Sequence, residues 1–314
     1  MRPNKLAMKI KQLLIVSIFL ISFSIQAQQD SQFTQYMYNT SLVNPAYVGN
    51  REAVSIFGLH RNQWVGLEGA PTTNALSVES PIQNSKLGIG LNFVNDKIGI
   101  INENDISLNL SYTLDLNHRD SKLSFGIKAT ANMLSVDYDK LNVYDPTDPQ
   151  LSDNVSNEFS PNIGAGIYWH NTKSYLGISV PTFLENSRVD SQSVYSSLNQ
   201  RMHFYFIGGH VFDLNRDLKF KPAFLVKAVN GAPLQTDISA NFLIQDKLTL
   251  GMAYRWDAAW SALVGFQVSN SVFIGYSYDA DTIKLGNYNS GSHEIFLRFD
   301  LISKYKRLVS PRFF

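Results

Sequence analysis

Apolar and polar residues alternate along most of the chain after residue 53. Segments 85–95, 104–114, 121–133, 236–244 and 247–255 carry an apolar side chain at nearly every second position, with mostly small, polar or charged residues between them. A period of two puts the two sets of side chains on opposite faces of a β-strand. We therefore predict an all-β fold with fourteen strands between residues 53 and 301.

The lengths of the connections decide between two all-β architectures. A soluble sandwich or propeller buries its apolar faces inward, whereas a transmembrane barrel turns them outward to lipid. The predicted connections after even-numbered strands are short, and the longest ones, 134–158 and 182–202, follow odd-numbered strands. This parity and the even strand number are typical of bacterial outer-membrane barrels. We predict an antiparallel up-and-down transmembrane β-barrel with short periplasmic turns and longer extracellular loops.

Aromatic residues are expected near both ends of the predicted strands. Tyr112 and Trp169 lie near the ends that lead into short turns, and Tyr254, Trp260 and Tyr278 near the ends that lead into loops. Amphipathic rings of this kind form girdles at the two membrane interfaces. Their placement therefore favours the same topology.

The first 27 residues have the three parts of a secretory signal peptide. Residues 1–11 are basic, residues 13–23 are apolar or Ser, and Ala27 is a small residue at the expected cleavage site. The apolar run is shorter than the roughly 20 residues of a membrane-spanning helix. We predict four segments: a signal peptide (1–27), a periplasmic N-terminal segment (28–52), an outer-membrane barrel (53–301) and a periplasmic tail (302–314).

Composition excludes several classes of function. The chain has 27 Lys and Arg against 26 Asp and Glu, but four of the basic residues and none of the acidic ones lie in the first 27 positions. The exported chain is therefore mildly acidic, which argues against nucleic acid as a partner. Without cysteine there are no disulfides, thiolate metal sites or cysteine nucleophiles.

Motifs for catalysis or for a cofactor are scarce, and we expect no enzyme activity, no cofactor and no metal. The six histidines lack the HxxxH and HExxH spacings, and no GxSxG sequence occurs. Outer-membrane hydrolases built on barrels leave one alternative open. In that case His203 or His210 would assist a serine nucleophile.

Several motifs together resemble the PorP/SprF family of Bacteroidetes outer-membrane proteins. Residues 29–50 (QDSQFTQYMYNTSLVNPAYVGN) are similar to the start of its mature chains, and residues 60–66 (HRNQWVG) with 70–72 (APT) to its second hallmark. Residues 251–256 (GMAYRW), 274–279 (IGYSYD), 291–295 (GSHEI) and the ending SPRFF are similar to its C-terminal half. The resemblance covers essentially the whole mature chain.

This resemblance implies an accessory barrel of the type IX secretion system, tied in some members to gliding motility. Such proteins help to export or retain surface adhesins. They also link the outer membrane to periplasmic components, including peptidoglycan-binding lipoproteins and OmpA-like proteins. The expected partners are therefore secretion components, an exported adhesin or its C-terminal domain, one of these periplasmic proteins, and outer-membrane lipid.

The motif at residues 60–66 is a candidate partner-binding site because it begins where the first strand leaves the membrane. It offers His60, Arg61, Asn62, Gln63 and Trp64 on one external loop, and Trp and Arg are common interface anchors. The alternative is that Trp64 belongs to an aromatic girdle and Arg61 folds into the lumen to pair with a carboxylate.

Both ends of the mature chain carry further candidates. Tyr36, Asn44 and Pro45 lie in the N-terminal segment, which is expected on the periplasmic side, where it plugs the lumen, contacts a partner or forms an ordered cap. At the other end of the chain, Arg312, Phe313 and Phe314 serve either as a barrel-assembly signal or as a periplasmic contact.

Taken together, these features predict a non-enzymatic outer-membrane barrel that docks or anchors exported adhesins. A general porin is the first alternative, because Lys128, Lys219, Lys221, Lys227 and Arg255 would line an open lumen and attract anions. The hydrolase is the second alternative.

Overall fold

The computed structural model describes residues 33–51, 53–116, 120–141, 154–185 and 201–301. The predicted signal peptide (1–27), residues 28–32 and the predicted tail (302–314) lie outside these described residues. In the described part of the chain, no helix is both long and apolar enough to cross a membrane.

Within these ranges, fourteen antiparallel strands close into one barrel. The strands are β1 (Val54–Asn62), β2 (Thr72–Pro81), β3 (Leu87–Ile98), β4 (Ile101–Asp115), β5 (Lys122–Val136), β6 (Val155–His170), β7 (Ser174–Val180), β8 (His203–His210), β9 (Leu218–Val229), β10 (Gln235–Ile244), β11 (Leu248–Arg255), β12 (Ala259–Gln267), β13 (Val272–Asp281) and β14 (Ser292–Leu301). Strand β8 resumes briefly at Phe212–Asp213, and both pieces pair with β9. The barrel closes where β1 pairs with β14, so the sheet has no free edge along this seam.

The two faces of the barrel wall differ as the alternation predicted. Outward positions carry exposed apolar side chains such as Leu91, Leu108, Ile127 and Met252. Inward positions of β2 to β6 are largely small or polar, and buried Ser, Thr and Asn side chains recur there. An apolar exterior around a polar wall is the arrangement of an outer-membrane barrel. The predicted fold class is confirmed.

The connections also follow the predicted parity. Every connection after an even-numbered strand is a short turn, such as the two-residue core of the β10–β11 hairpin, where Gln245 and Asp246 both have positive φ. This is the type I′ geometry that matches strand twist. Not every connection at the other end is long, because β3 joins β4 through residues 99–100 alone.

Strands β3 to β6 extend farther at the loop end than their hydrophobic pattern indicated. Strand β4 was predicted at 104–114 but begins at Ile101, and β6 begins at Val155 instead of 159. The added residues of β3, β4 and β6 are mostly polar, which removes the hydrophobic alternation although the backbone pairing continues. In β5 the added apolar residues, Leu134 and Val136, are buried on the inner face, opposite to the lipid-facing pattern. These four strands therefore form the tallest part of the barrel wall.

Candidate functional site

The N-terminal segment fills the lumen. Residues 34–48 are buried inside the barrel, and they include three short 3-10 turns at Tyr36–Tyr38, Thr40–Leu42 and Pro45–Tyr47. The segment runs from the loop end, where Thr34 meets Glu294, to the short-turn end, where Arg51 meets Asp300. We call residues 34–48 the plug, because, of the three roles that the sequence left open for this segment, filling the lumen is the one that matches their position.

Inward glycines of the wall receive the last part of the plug, residues 44–48. A Cβ atom added to Gly126 would overlap the backbone of Pro45 and Ala46, and one added to Gly88 would overlap the carbonyl of Val48. Gly166 faces the side chain of Asn44 in the same way. These glycines let the backbone of the wall and that of the plug approach closely, which is one reason for glycine inside a strand.

Asn44 and Pro45, two of the predicted contact residues, shape this last part of the plug. The side chain of Asn44 accepts a hydrogen bond from the Ala46 N–H at 3.0 Å and donates to the Ile167 carbonyl at 3.1 Å. Asn44 thereby caps the 3-10 turn that Pro45 begins, and it also fixes the turn to the wall. Both residues are buried, with their contacts inside the barrel.

Aromatic rings surround Tyr36 and Tyr38, in the first part of the plug. The ring of Tyr38 lies 5.3 Å from that of Phe273 and 4.8 Å from that of Phe296, between centroids. Phe57 stacks on Phe296 in turn, and Tyr36 is buried in the same cluster. The lumen thus contains a hydrophobic core of the kind found in soluble proteins, with the plug at its centre.

Arg61 ties the plug to the wall near the loop end. Its guanidinium pairs with Asp279 at 2.7 Å and with Glu294 at 3.0 Å, and it donates to the Thr34 hydroxyl at 2.9 Å. Glu294 also accepts the backbone N–H groups of Thr34 and Gln35. All of these side chains are buried. The lumen alternative for Arg61 therefore describes its position.

A second buried ion cluster holds the other end of the plug. Arg51 pairs with Asp300 at 2.8 Å, and Arg298 lies 3.4 Å from the same carboxylate. Nothing in the local sequence around Arg51 or Arg61 marks these pairs. The partners come from the last two strands, which only barrel closure brings next to the N-terminal segment.

The other residues of the HRNQWVG motif lie at the external rim. His60 points outward and hydrogen-bonds to Asn74 at 2.8 Å, and Asn62 is exposed beside it. Gln63 accepts a hydrogen bond from Arg61, and Trp64 is partly exposed with a φ of 47°. Partner binding by these residues stays a prediction, as it does for Arg312, Phe313 and Phe314, which lie outside the described residues.

Backbone hydrogen bonds fasten this motif to a second external loop. The Val65 N–H donates to the Gly291 carbonyl at 2.9 Å, and the Ser290 N–H donates to the Val65 carbonyl at 2.8 Å. The Trp64 N–H also donates to the hydroxyl of Ser292. The two family motifs at 60–66 and 291–295, far apart in sequence, thus form one ordered patch of the rim.

The filled lumen argues against an open porin. The predicted cations Lys221 and Lys227 do face inward, but their amino groups lie over the rings of Tyr38 and Tyr205, at 5.7 and 5.9 Å. Arg255 pairs with Asp237 at 3.1 Å. A cavity of about 20 Å3 beside Tyr36 has room for little more than one water molecule.

Catalytic and metal sites find little support in the described part of the chain. Ser174 hydrogen-bonds to Nδ1 of His210 at 2.7 Å, but no described carboxylate bonds to that ring to complete a triad. His203 is buried in the wall. Among the described residues, no group of three or more His, Cys, Asp or Glu could hold a metal ion.

A comparison with known sequence families matches this chain to a family of membrane proteins. The sequence profile described as "Type IX secretion system membrane protein PorP/SprF" matches residues 25–299. No curated protein sequence matches the chain.

Solved structures similar to this chain include the following three. The CymD monoaromatic hydrocarbon channel is 10% identical, with 87% of this chain and 94% of that chain covered and a TM-score of 0.48. A Pseudomonas aeruginosa FadL homologue is 12% identical, with 82% and 93% covered and a TM-score of 0.44. Acinetobacter baumannii Omp33 is 6% identical, with 80% and 98% covered and a TM-score of 0.44.

Proposed function

The chain belongs to the PorP/SprF family of type IX secretion system membrane proteins, and from this premise we propose that it is a non-conducting outer-membrane anchor for exported surface adhesins. It acts by positioning its partners, without chemistry of its own. The observation that carries the proposal is the packed lumen. A barrel whose interior is filled by its own chain must act through its external and periplasmic surfaces.

The external rim is the proposed adhesin contact. His60, Asn62, Gln63 and Trp64 are grouped there, and the hydrogen bonds between residues 65 and 290–291 give the patch a defined shape. A preorganised surface loses less conformational entropy on binding than a mobile loop does. An exported adhesin or its C-terminal domain is the partner that this location favours.

The periplasmic end is the proposed contact for a peptidoglycan-binding lipoprotein or an OmpA-like protein. The short turns and the tail with Arg312, Phe313 and Phe314 face that side in the predicted topology. Such a link would hold the anchored adhesin against the cell wall. In a host that glides, losing the link would reduce gliding motility.

Co-purification from the native host tests the proposal. The tagged mature chain, extracted gently from outer membranes, should bring down secretion components and a large surface adhesin. Trp64→Ala should reduce the recovered adhesin by about tenfold or more, since an interface Trp commonly contributes 2 kcal/mol or more. Trp169→Ala is the matched control, because Trp169 lies at the opposite end of the wall.

Two results would reject the anchoring role. One is a barrel that purifies without any surface or periplasmic protein, and the other is equal loss of adhesin in the Trp64 and Trp169 variants. An ion conductance by the wild-type protein in planar bilayers would instead support the porin.

A further inference from the structure

A row of hydrogen-bonded polar side chains crosses the outer face of four neighbouring strands. His60 on β1 bonds to Asn74 on β2 at 2.8 Å, and Asn74 donates to Asn95 on β3 at 3.3 Å. Asn95 in turn donates to Asn102 and Asn104 on β4 at 2.8 and 2.9 Å. We call these five side chains the amide track. None of them faces the lumen, so the plug does not explain them.

The amide track lies directly above the apolar band. On each of three strands the next outward residue toward the membrane is a large exposed apolar one: Leu76 below Asn74, Phe93 below Asn95 and Ile106 below Asn104. The change from lipid-facing to polar side chains therefore occurs between two successive outward positions of each strand. At this depth the outward surface meets the head groups of the outer leaflet.

Another part of the wall, separated from β1 only by β14, uses a different boundary. Tyr254, Trp260, Tyr276 and Tyr278 occupy the corresponding outward positions on β11 to β13, and the rings of Tyr254 and Trp260 lie 4.4 Å apart. Aromatic girdles are the general solution at a membrane interface. At the same level, strands β1 to β4 carry amide side chains and an imidazole. Hydrogen-bonding groups therefore take the place of the aromatic rings there.

The track retains unused hydrogen-bonding capacity. Each Asn side chain offers two donor hydrogens and an acceptor oxygen, and the amino groups of Asn102 and Asn104 donate to no described residue. Lys97 stands on the same outward face, two residues beyond Asn95, and is exposed. An uncharged row of donors and acceptors suits sugar hydroxyls, and an adjacent ammonium suits a phosphate or carboxylate.

We propose that the amide track and Lys97 bind the head group of an anionic glycolipid in the outer leaflet. The sugars would lie along the track and the anionic group would pair with Lys97. The alternative occupant is a neighbouring membrane protein. The exposed ammonium of Lys97 and the position directly above the acyl band favour the glycolipid.

Native mass spectrometry of the full mature protein, incubated with lipopolysaccharide purified from its host, tests the proposal. Wild-type protein should retain lipopolysaccharide, and Asn95→Ala with Asn104→Ala should lower the retained fraction about fivefold or more. Asn95→Asp with Asn104→Asp should lower it further, because two carboxylates would repel the anionic group.

The matched control makes the same two changes at the other end of the barrel. Asn171→Ala with Asn215→Ala alters the turns after β6 and β8 and should leave the retained fraction unchanged. Heat-dependent migration in gels establishes that each variant is folded. Wild-type retention in the folded Asn95/Asn104 variants would overturn the proposal. So would a photoreactive residue at position 95 that cross-links to a protein and never to lipopolysaccharide in whole cells.

Discussion

Single residues set how closely the plug and the wall approach each other. Gly126 shows this most directly, because a Cβ atom there has no space beside the backbone of residues 45–46. Gly126→Ala should therefore destabilise the folded barrel by about 1–3 kcal/mol, the usual range for an overpacked core. Urea unfolding of the purified protein would measure the loss.

Gly58 provides the control for this experiment. It lies on β1, faces outward and has no atom within 4 Å of an added Cβ atom. Gly58→Ala should leave the free energy of unfolding nearly unchanged. Equal effects at positions 58 and 126 would mean that general strand propensity, and not contact with the plug, governs both glycines.

Arg61 carries the second residue-scale prediction. Arg61→Met leaves Asp279 and Glu294 buried without their shared cation, which should lower stability by about 3–5 kcal/mol. The triple variant Arg61→Met, Asp279→Asn and Glu294→Gln removes the charges together and should recover much of that loss. A triple variant as unstable as the single one, in the same urea titration, would show that the ion pairs themselves stabilise the plug.

The plug behaves as a core element and not as a removable stopper. Phe57, Phe273 and Phe296 face the lumen and pack on it or on one another. Without the plug these rings would meet water, and each lost burial weakens the fold by about 1.5–3 kcal/mol.

Deleting residues 34–48 should therefore prevent the barrel from closing instead of opening a channel. The measurement is refolding into detergent micelles, followed by the gel shift that distinguishes closed from unfolded barrels. A deletion variant that folds normally and conducts ions would show that the plug is a gate.

The elements were predicted unequally well. Strand alternation located the lipid-facing segments because lipid imposes the pattern. The loop-end extensions of β3, β4 and β6 did not show the pattern, since most of their residues are polar, and that of β5 did not because its apolar residues face inward. Plugging the lumen stayed one of three roles predicted for the N-terminal segment, because its short 3-10 turns show no regular hydrophobic period that would decide between them.

For the whole molecule, the closed wall and the packed lumen predict that the protein conducts no ions. Planar bilayers containing the wild-type protein should show no steady single-channel conductance at neutral pH, whereas an open porin of similar strand number should conduct under the same conditions. Stable conductance steps from the wild type would contradict the packed lumen and restore the channel alternative.

The sequence by itself determined the class of fold and the family. Both depend on local features, namely a two-residue period, the parity of short turns, and short motifs that stay recognisable without their partners. The outer-membrane location follows from the same local evidence, and the signal peptide stays a prediction from it.

Only the tertiary structure decided what the motif residues do. Arg61 meets carboxylates that lie 218 and 233 positions away in sequence, and these contacts exist only after the barrel has closed. Asn44 and Pro45 are likewise defined by the glycines that face them. The hydrophobic period of a strand indicates which face of the sheet a side chain occupies. The residue that it contacts on that face is determined by closure of the barrel and by packing.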